Sequence, residues 1–349
     1  MTIARRPLMF GLTAVLVSAC GARGDATAES TIPDADRSDA AVDDSASSTS
    51  PAPPAGAPSP EQEFYVDPAS TPLLWAQENA SDPSAQVIEE EIAGTPLARW
   101  FGNWTEDITS ATDEFTSGAA QQGQLPIMVA YNMPGRDACG GHSGGGAGSP
   151  DAYDTWIDQY VTGIGGNPAV VVLEPDALGD YECMTDGQIA EREHMLKGAI
   201  ERFGAQAPNA WVYVDAGNAG WVSPDIMAER LHGAGAGEAH GFAVNVSNYR
   251  STEDSTDYAR AVNEELEASY GYTKPFVVDT SRNGKGTPDT DWCNPAGQQV
   301  GERSQWSDDA EMLLWIKTPG ESDGDCGVGE GTEAGDFLPE IAVDLVHGT

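Results

Sequence analysis

The sequence predicts an α/β fold in which a parallel β-sheet, with helices between its strands, closes into a barrel. Three observations predict it. Short apolar runs recur and each exits into polar residues. Amphipathic stretches with helical spacing lie between those runs. The region from Glu61 to Thr349 has the length of one β/α barrel, with no fixed-period repeat and no second linker to divide it.

Taken in order, the first strand is Ile127-Met128-Val129-Ala130, which ends in Tyr131 and, six residues on, Asp137. The second runs Val170-Val171-Val172-Leu173 and breaks at Glu174-Pro175-Asp176. A continuous aliphatic run reads as a strand covered on both faces. Pro175 has no N–H to give a ladder, so pairing stops there and Asp176 is delivered to a cleft edge. The plainer alternative is that Glu174 and Asp176 only cap the following turn or helix. Ile189, Leu196, Ala199, Ile200 and Phe203 then share one helical face, with Asp186 as N-cap and Gly204 as stop. Trp211-Val212-Tyr213-Val214 ends in Asp215. A helix opens at Ser223-Pro224 and presents Ile226, Met227, Arg230 and Leu231 before Gly233. Phe242-Ala243-Val244 leads to Asn245 and Asn248, and a helix spans Thr256 to Ser269. Phe276-Val277-Val278 ends in Asp279. Leu313-Leu314-Trp315-Ile316 leads to Lys317, Glu321 and Asp323. Such repetition weakens the capping alternative, because strands that all exit into polar groups imply one shared face carrying a ring of carboxylates.

Upstream, Arg5 and Arg6 precede an apolar stretch from Leu8 to Val17 and the tetrad Val17-Ser18-Ala19-Cys20. Residues 1–19 read as a lipoprotein-type signal peptide, too short for a comfortable membrane span, with cleavage before Cys20 and lipidation of its thiol. Ordinary secretion, with Cys20 lost in the signal, is the alternative. The lipid reading places the protein outside the cell, anchored to the outer face of the membrane through Cys20. Residues 20–60 are an acidic Ala/Ser/Thr/Pro-rich linker that has too few large apolar side chains to bury a core and reads as disordered. With Cys20 assigned to lipid, five cysteines leave four, Cys139, Cys183, Cys293 and Cys326, and three pairings are open. No Cys-x-x-Cys and no closely spaced His pair supports a zinc site, so neither metal nor cofactor is expected. A net charge of −39 with only 17 Lys and Arg excludes nucleic acid and anionic membrane surfaces as partners.

Glycine dominates between Asp137 and Asp151, which suggests a mobile lid beside the first carboxylate, with Ser143 as a water ligand, or else a plain solvent loop. No Gly-Lys-Ser/Thr ending supports phosphate binding. Paired carboxylates without a Ser-His-Asp motif suit glycosidic bond cleavage, one acid protonating the leaving oxygen and a base activating water. Trp100, Trp104, Trp221 and Trp292 lie in or beside loops and could meet the apolar faces of sugar rings. The rival classes are a non-catalytic sugar-binding lipoprotein and a metal-assisted hydrolase using the Asp ring.

The segments YNMPGRD (Tyr131 to Asp137), VVLEPDAL (Val171 to Leu178), YVDAGNAGW (Tyr213 to Trp221), NVSNYR (Asn245 to Arg250), DTSRNGKG (Asp279 to Gly286), DWCNP (Asp291 to Pro295) and LWIKTPGESDG (Leu314 to Gly324) resemble, in the same order, those of glycoside hydrolase family 6. The resemblance covers nearly all of residues 61–349 and implies a catalytic domain there. Its fold would be a distorted, incompletely closed parallel β/α barrel of about seven strands that hydrolyses β-1,4-glucan with inversion. By the same resemblance Asp176 matches the general acid and Asp137 the aspartate that holds the acid's proton and assists the water. Asp323 matches the residue often proposed as base, and Tyr131 the tyrosine that crowds the sugar into a distorted ring. Trp100, Trp221 and Trp292 match sugar platforms, Lys317 and Glu321 match hydrogen-bonding partners of the glycone, and Asp215 and Asn248 match supports of the cleft floor. The pairings Cys139 to Cys183 and Cys293 to Cys326 are also implied. Two departures stand out: Asn218 where many members carry His, and Ala138 inserted between Asp137 and Cys139. The short stretch from Asn294 to Leu313 points to an open cleft and a monomeric endoglucanase acting on cello-oligosaccharides and soluble or amorphous glucan. A cellobiohydrolase of the same family is the alternative.

Overall fold

Alternation within the strands decides how the protein is layered. Ile127, Val129, Val170, Val172, Tyr213, Ala243, Val277, Met312 and Leu314 meet in one apolar cluster, while Met128, Val171, Leu173, Val212, Val214, Phe242, Val244, Val278 and Leu313 join a second, larger one with the helices. Neighbouring residues of a strand point to opposite faces, so one set fills the interior of the curled sheet and the other seats the helices. A computed structural model describes residues 56–141, 143–286 and 291–349. The signal peptide, Cys20 and the linker up to residue 55 lie outside the described residues.

The sheet has eight strands in the order β1-β2-β3-β4-β5-β6-β8-β7. They are β1 (Arg99–Phe101), β2 (Ile127–Ala130), β3 (Ala169–Leu173), β4 (Ala210–Asp215), β5 (Gly241–Val244), β6 (Phe276–Asp279), β7 (Gln305–Trp306) and β8 (Met312–Leu314). Seven are parallel, and only β7 runs antiparallel, against β8. The barrel is distorted and incompletely closed. β1 and β8 share no ladder, and Leu97 pairs with Trp315 in a single bridge just before β1, where the Ala98 N–H donates to the Trp315 carbonyl at 3.0 Å. The three residues of β1 are too few to show a period, and Arg99 disguises them; its guanidinium pairs with Asp67 at 2.7 Å and lies over the Phe115 ring.

Among the described residues, eight α-helices accompany the strands: α1 (Thr71–Glu78), α2 (Pro83–Val87), α3 (Ile108–Gln121), α4 (Pro150–Ile164), α5 (Asp186–Gln206), α6 (Pro224–Gly233), α7 (Thr252–Tyr270) and α8 (Pro339–His347). α5 is capped by Thr185, not Asp186. The Thr185 side chain and Gln188 form a reciprocal capping box, which satisfies two orphan backbone donors at once. Gly204 does not stop this helix, which runs on to Gln206. α6 begins at Pro224 as expected, although the Ser223 side chain makes no cap bond. α7 starts four residues before Thr256, because Ser251 accepts from the Asp254 N–H and the polar Ser255 and Thr256 are buried. It ends on Gly271 in the left-handed conformation.

Candidate active site

The C-terminal ends of the parallel strands carry a cluster of non-glycine residues with positive φ: Asp137 at 53°, Glu174 at 51°, Asp176 at 69°, Asn245 at 67° and Ser247 at 56°. Such backbone costs on the order of 1–3 kcal/mol each and persists only where surrounding contacts enforce it. Here the enforcing contacts are visible. The Glu174 carboxylate is fully buried and accepts from the Asn132 N–H at 3.0 Å and the Met133 N–H at 2.8 Å, stapling the end of β3 to the chain leaving β2. Burial pushes this carboxyl up to about 7 despite those two bonds. Glu174 therefore caps backbone, as the plainer reading allowed, but that of the neighbouring strand's exit and not of a following helix.

Asp176 is partly buried and lines the cleft. Its backbone N–H donates to Asp215 Oδ2 at 3.0 Å, which also accepts from Gly217 N–H at 3.1 Å. Burial is the main reason that the Asp176 carboxyl lies well above the usual range, followed by negative charge on Asp215, Asp180, Asp137 and Asp323 in that order. The charge expected from Asp137 is thus outweighed by that of Asp215 and Asp180. Asp215, fully buried at the end of β4, is pushed up to about 7 by burial. It lies beneath the turn of Asp176 and not on the cleft wall.

Asp137 sits in the loop after β2. Its Oδ2 accepts from the Ser143 N–H at 2.7 Å and its Oδ1 from the Gly140 N–H at 3.0 Å. Ser143 Oγ and the Tyr131 hydroxyl are 2.9 Å apart, and the Arg136 guanidinium lies 4.5 Å above the Tyr131 ring while its Nε donates to the Ser143 carbonyl. The glycine-rich segment is thus fastened at its base. Gly145 bridges Arg136, the Ala147 N–H donates to the Asn132 carbonyl, and Gly146, at φ +88°, approaches Met133 so closely that a Cβ would lie 2.0 Å from its carbonyl oxygen.

Across the cleft, Asp323 is buried beside Arg282, whose Nη1 donates to Oδ2 at 2.9 Å. The Tyr249 hydroxyl and the Asn294 N–H donate to the same oxygen at 3.3 and 3.1 Å. Lys317 Nζ lies 3.8 Å from Asp323 Oδ1 and donates to the Ser322 carbonyl. Burial raises Glu321 above the ordinary carboxylate range, with the charge of Lys317 opposing. Asn248 Oδ1 accepts from the Tyr249 N–H. Asp279, buried at the end of β6, accepts from the N–H groups of Ser247, Ser281, Ile316 and Lys317 and so joins three strand exits.

These residues surround a cleft of about 1670 Å³. Tyr131, Asp137, Ser143, Asp176, Asn248, Lys317, Glu321 and Asp323 line it together with Trp100, Trp221 and Trp292; of the expected catalytic and sugar-binding residues, Asp215 alone does not. Trp221 and Trp292 remain 41% and 40% exposed, large apolar rings held open to solvent. Trp104 is more exposed still and also lines the cleft, whereas Trp100 donates from its indole to the Ile316 carbonyl and meets Tyr131 edge-on. Disulfides join Cys139 to Cys183 and Cys293 to Cys326. Sequence reasoning assigned no part to Asp180, Arg192, Tyr249 or Arg282, because their partners lie 41 to 74 residues away or, for Arg192, are main-chain carbonyls. Among the described residues no group of three or more His, Cys, Asp or Glu is arranged to hold a metal ion.

A family model described as glycosyl hydrolases family 6 matches residues 59–349. Over 300 residues the chain is 55% identical to Endoglucanase 1 of Streptomyces halstedii, covering 85% of this chain and 93% of that protein. It is 43% identical over 288 residues to Endoglucanase A of Thermobispora bispora, covering 81% of this chain and 61% of that protein. Among solved structures, the endoglucanase Cel6 from Mycobacterium tuberculosis, in complex with methyl-cellobiosyl-4-deoxy-4-thio-β-D-cellobioside, superposes with a TM-score of 0.75 at 35% identity over 82% of this chain and 97% of that one.

Proposed function

The chain belongs to family 6 of the glycosyl hydrolases, and from that premise we propose that it is an endo-β-1,4-glucanase that cleaves cellulose-type β-1,4-glucan with inversion at the anomeric carbon. The observation that carries this reading is Asp176: a carboxyl whose hold on its proton is strengthened by burial and by four neighbouring acids, at the wall of a cleft furnished with open indole rings. A proton donor to a leaving sugar oxygen needs that state near neutral pH.

In this mechanism Trp100, Trp221 and Trp292 stack the glucan and Lys317, Glu321 and Asn248 hold its hydroxyls. Tyr131 crowds the ring at the scissile bond. Asp176 gives its proton to the glycosidic oxygen. A water held by Asp137 and Ser143 attacks from the opposite face, its proton passing to Asp137 or to Asp323. Asp215 keeps the turn of Asp176 in place. Endo action is supported by the names of the similar bacterial proteins, Endoglucanase 1 and Endoglucanase A. Export is supported by the two disulfides, which persist outside a reducing cytoplasm; anchorage through lipid on Cys20 rests on the tetrad before it.

The test is cleavage of cellohexaose, with the anomeric form of the products followed by NMR. The expected products are α-anomers from internal cuts, and Asp176→Ala is expected to lose at least about 100-fold in kcat while still binding the oligosaccharide. Near-wild-type turnover in that variant would remove Asp176 from the role. Viscosity loss of carboxymethylcellulose ahead of reducing-end release would mark endo action.

A further inference from the structure

Asp180 opens a single 3-10 turn, Asp180–Cys183, four residues beyond Asp176. It is buried, lines the cleft, and accepts from the Ala138 N–H at 2.7 Å. Ala138 is the residue between Asp137 and Cys139. We propose that Asp180 is a positioning residue that locks the loop carrying Asp137 against the turn carrying Asp176, and so sets how the two carboxyls face each other. The inference rests on the reading of Asp176 as the general acid.

The same two segments are joined twice more. The Cys139–Cys183 disulfide links them covalently one residue beyond Ala138. From α5, the buried Arg192 donates through Nη1 to the Ala177 carbonyl at 3.1 Å and through Nη2 to the Gly135 carbonyl at 2.8 Å. From α6, Arg230 donates to the carbonyls of Leu178 and Gly179, which holds the acid's turn from its far side. A disulfide on an exposed edge fixes two sulfur atoms and leaves rotation about the bonds that lead to them. The Asp180 bond reaches the backbone itself, directly after Asp137, and removes that freedom. A misplacement of about 1 Å at a reacting group can cost on the order of 100-fold in rate.

Asp180 also contributes charge. The groups facing it are Asp137 from the loop after β2, Arg192 from α5 and Asp176 on its own connection; those facing Asp176 are Asp215, Asp180, Asp137 and Asp323, with the Tyr131 hydroxyl from the end of β2. A negative Asp180 opposes loss of the Asp176 proton, so its removal should let Asp176 ionise at lower pH.

The experiment compares the full chain with Asp180→Asn, Asp180→Ala and Asp176→Ala, measuring kcat and KM against pH on cellohexaose and on 2,4-dinitrophenyl β-cellobioside, whose leaving group needs no proton. Asp180→Asn keeps an oxygen for Ala138. Its expected behaviour is an unchanged Tm, a basic limb of the cellohexaose profile moved down by roughly half a pH unit, and dinitrophenyl cellobioside turnover within about threefold of wild type. Asp180→Ala should lower kcat on cellohexaose roughly 10- to 100-fold with KM little changed. Wild-type kcat on cellohexaose in Asp180→Ala overturns the positioning role, as does, if that variant fails to fold, a loss of more than about 10-fold at the pH optimum in Asp180→Asn, which keeps the bond to Ala138; a wild-type pH profile in Asp180→Asn overturns the part played by its charge. Full turnover of cellohexaose by Asp176→Ala would sink the functional reading instead; inactivity there on cellohexaose with wild-type Asp180 variants would sink only the role of Asp180.

Discussion

At the scale of single residues, the cleft is built by acids that serve as backbone acceptors as much as by acids that face solvent. Glu174, Asp215 and Asp279 take up N–H groups at strand exits where φ turns positive, and each is fully or nearly fully buried. Their place was legible in the sequence, because each closes an apolar run. The cations were not. Arg282 reaches Asp323 across 41 residues, and no local pattern signals such a pair. Replacing Arg282 with Met leaves Asp323 buried without its guanidinium, which is expected to cost about 3–5 kcal/mol. Thermal or urea unfolding of Arg282→Met measures it, and a loss under about 1 kcal/mol would show that the pair is dispensable.

At the scale of elements, β2 to β6 and β8 announce themselves through aliphatic runs, whereas β1 and β7, with three and two residues, are too short to show alternation. The helix α5 was legible in its apolar face but not in its cap, since Thr185 and Asp186 are both good cap residues and only the Gln188 side chain decides between them. The loops were legible as motifs and opaque as geometry, because fastening such as that of Gly146 to Met133 comes from tertiary approach. The Cys293–Cys326 bond closes 33 residues and ties the segment of Trp292 to that of Asp323. Its removal in a Cys293→Ser/Cys326→Ser double variant is expected to cost roughly 3–4 kcal/mol in the chain-entropy picture. KM for cellohexaose should rise as well, and unfolding curves with steady-state kinetics check the two effects separately.

At the scale of the whole molecule, stability should depend on pH in a direction opposite to that of most acid-rich proteins. Glu174 and Asp215 have folded-state values near 7 against ordinary ones of 4.5 and 3.8. A carboxyl raised by folding contributes its full stabilisation below the ordinary value and loses it as pH climbs through the folded one. Stability should therefore fall between about pH 4 and pH 7, by roughly 3 kcal/mol for Glu174 alone. Mutual repulsion within a net charge of −39 acts in the same direction and is relieved by salt. Unfolding across that window checks the prediction: Glu174→Gln should flatten the slope, and an unchanged slope would count against it. Closure into a barrel was legible from length and alternation, but the place where the ring fails to close was not, since nothing in β1 or β8 marks the gap. That gap has a mechanical consequence. Neighbouring parallel strands elsewhere hold each other through three to five paired residues, while Leu97 and Trp315 make a single rung across the seam. Backbone pairing is thinnest there, so this line is where the wall is expected to give first when a bulky chain enters the groove, ahead of the strand that bears the acid.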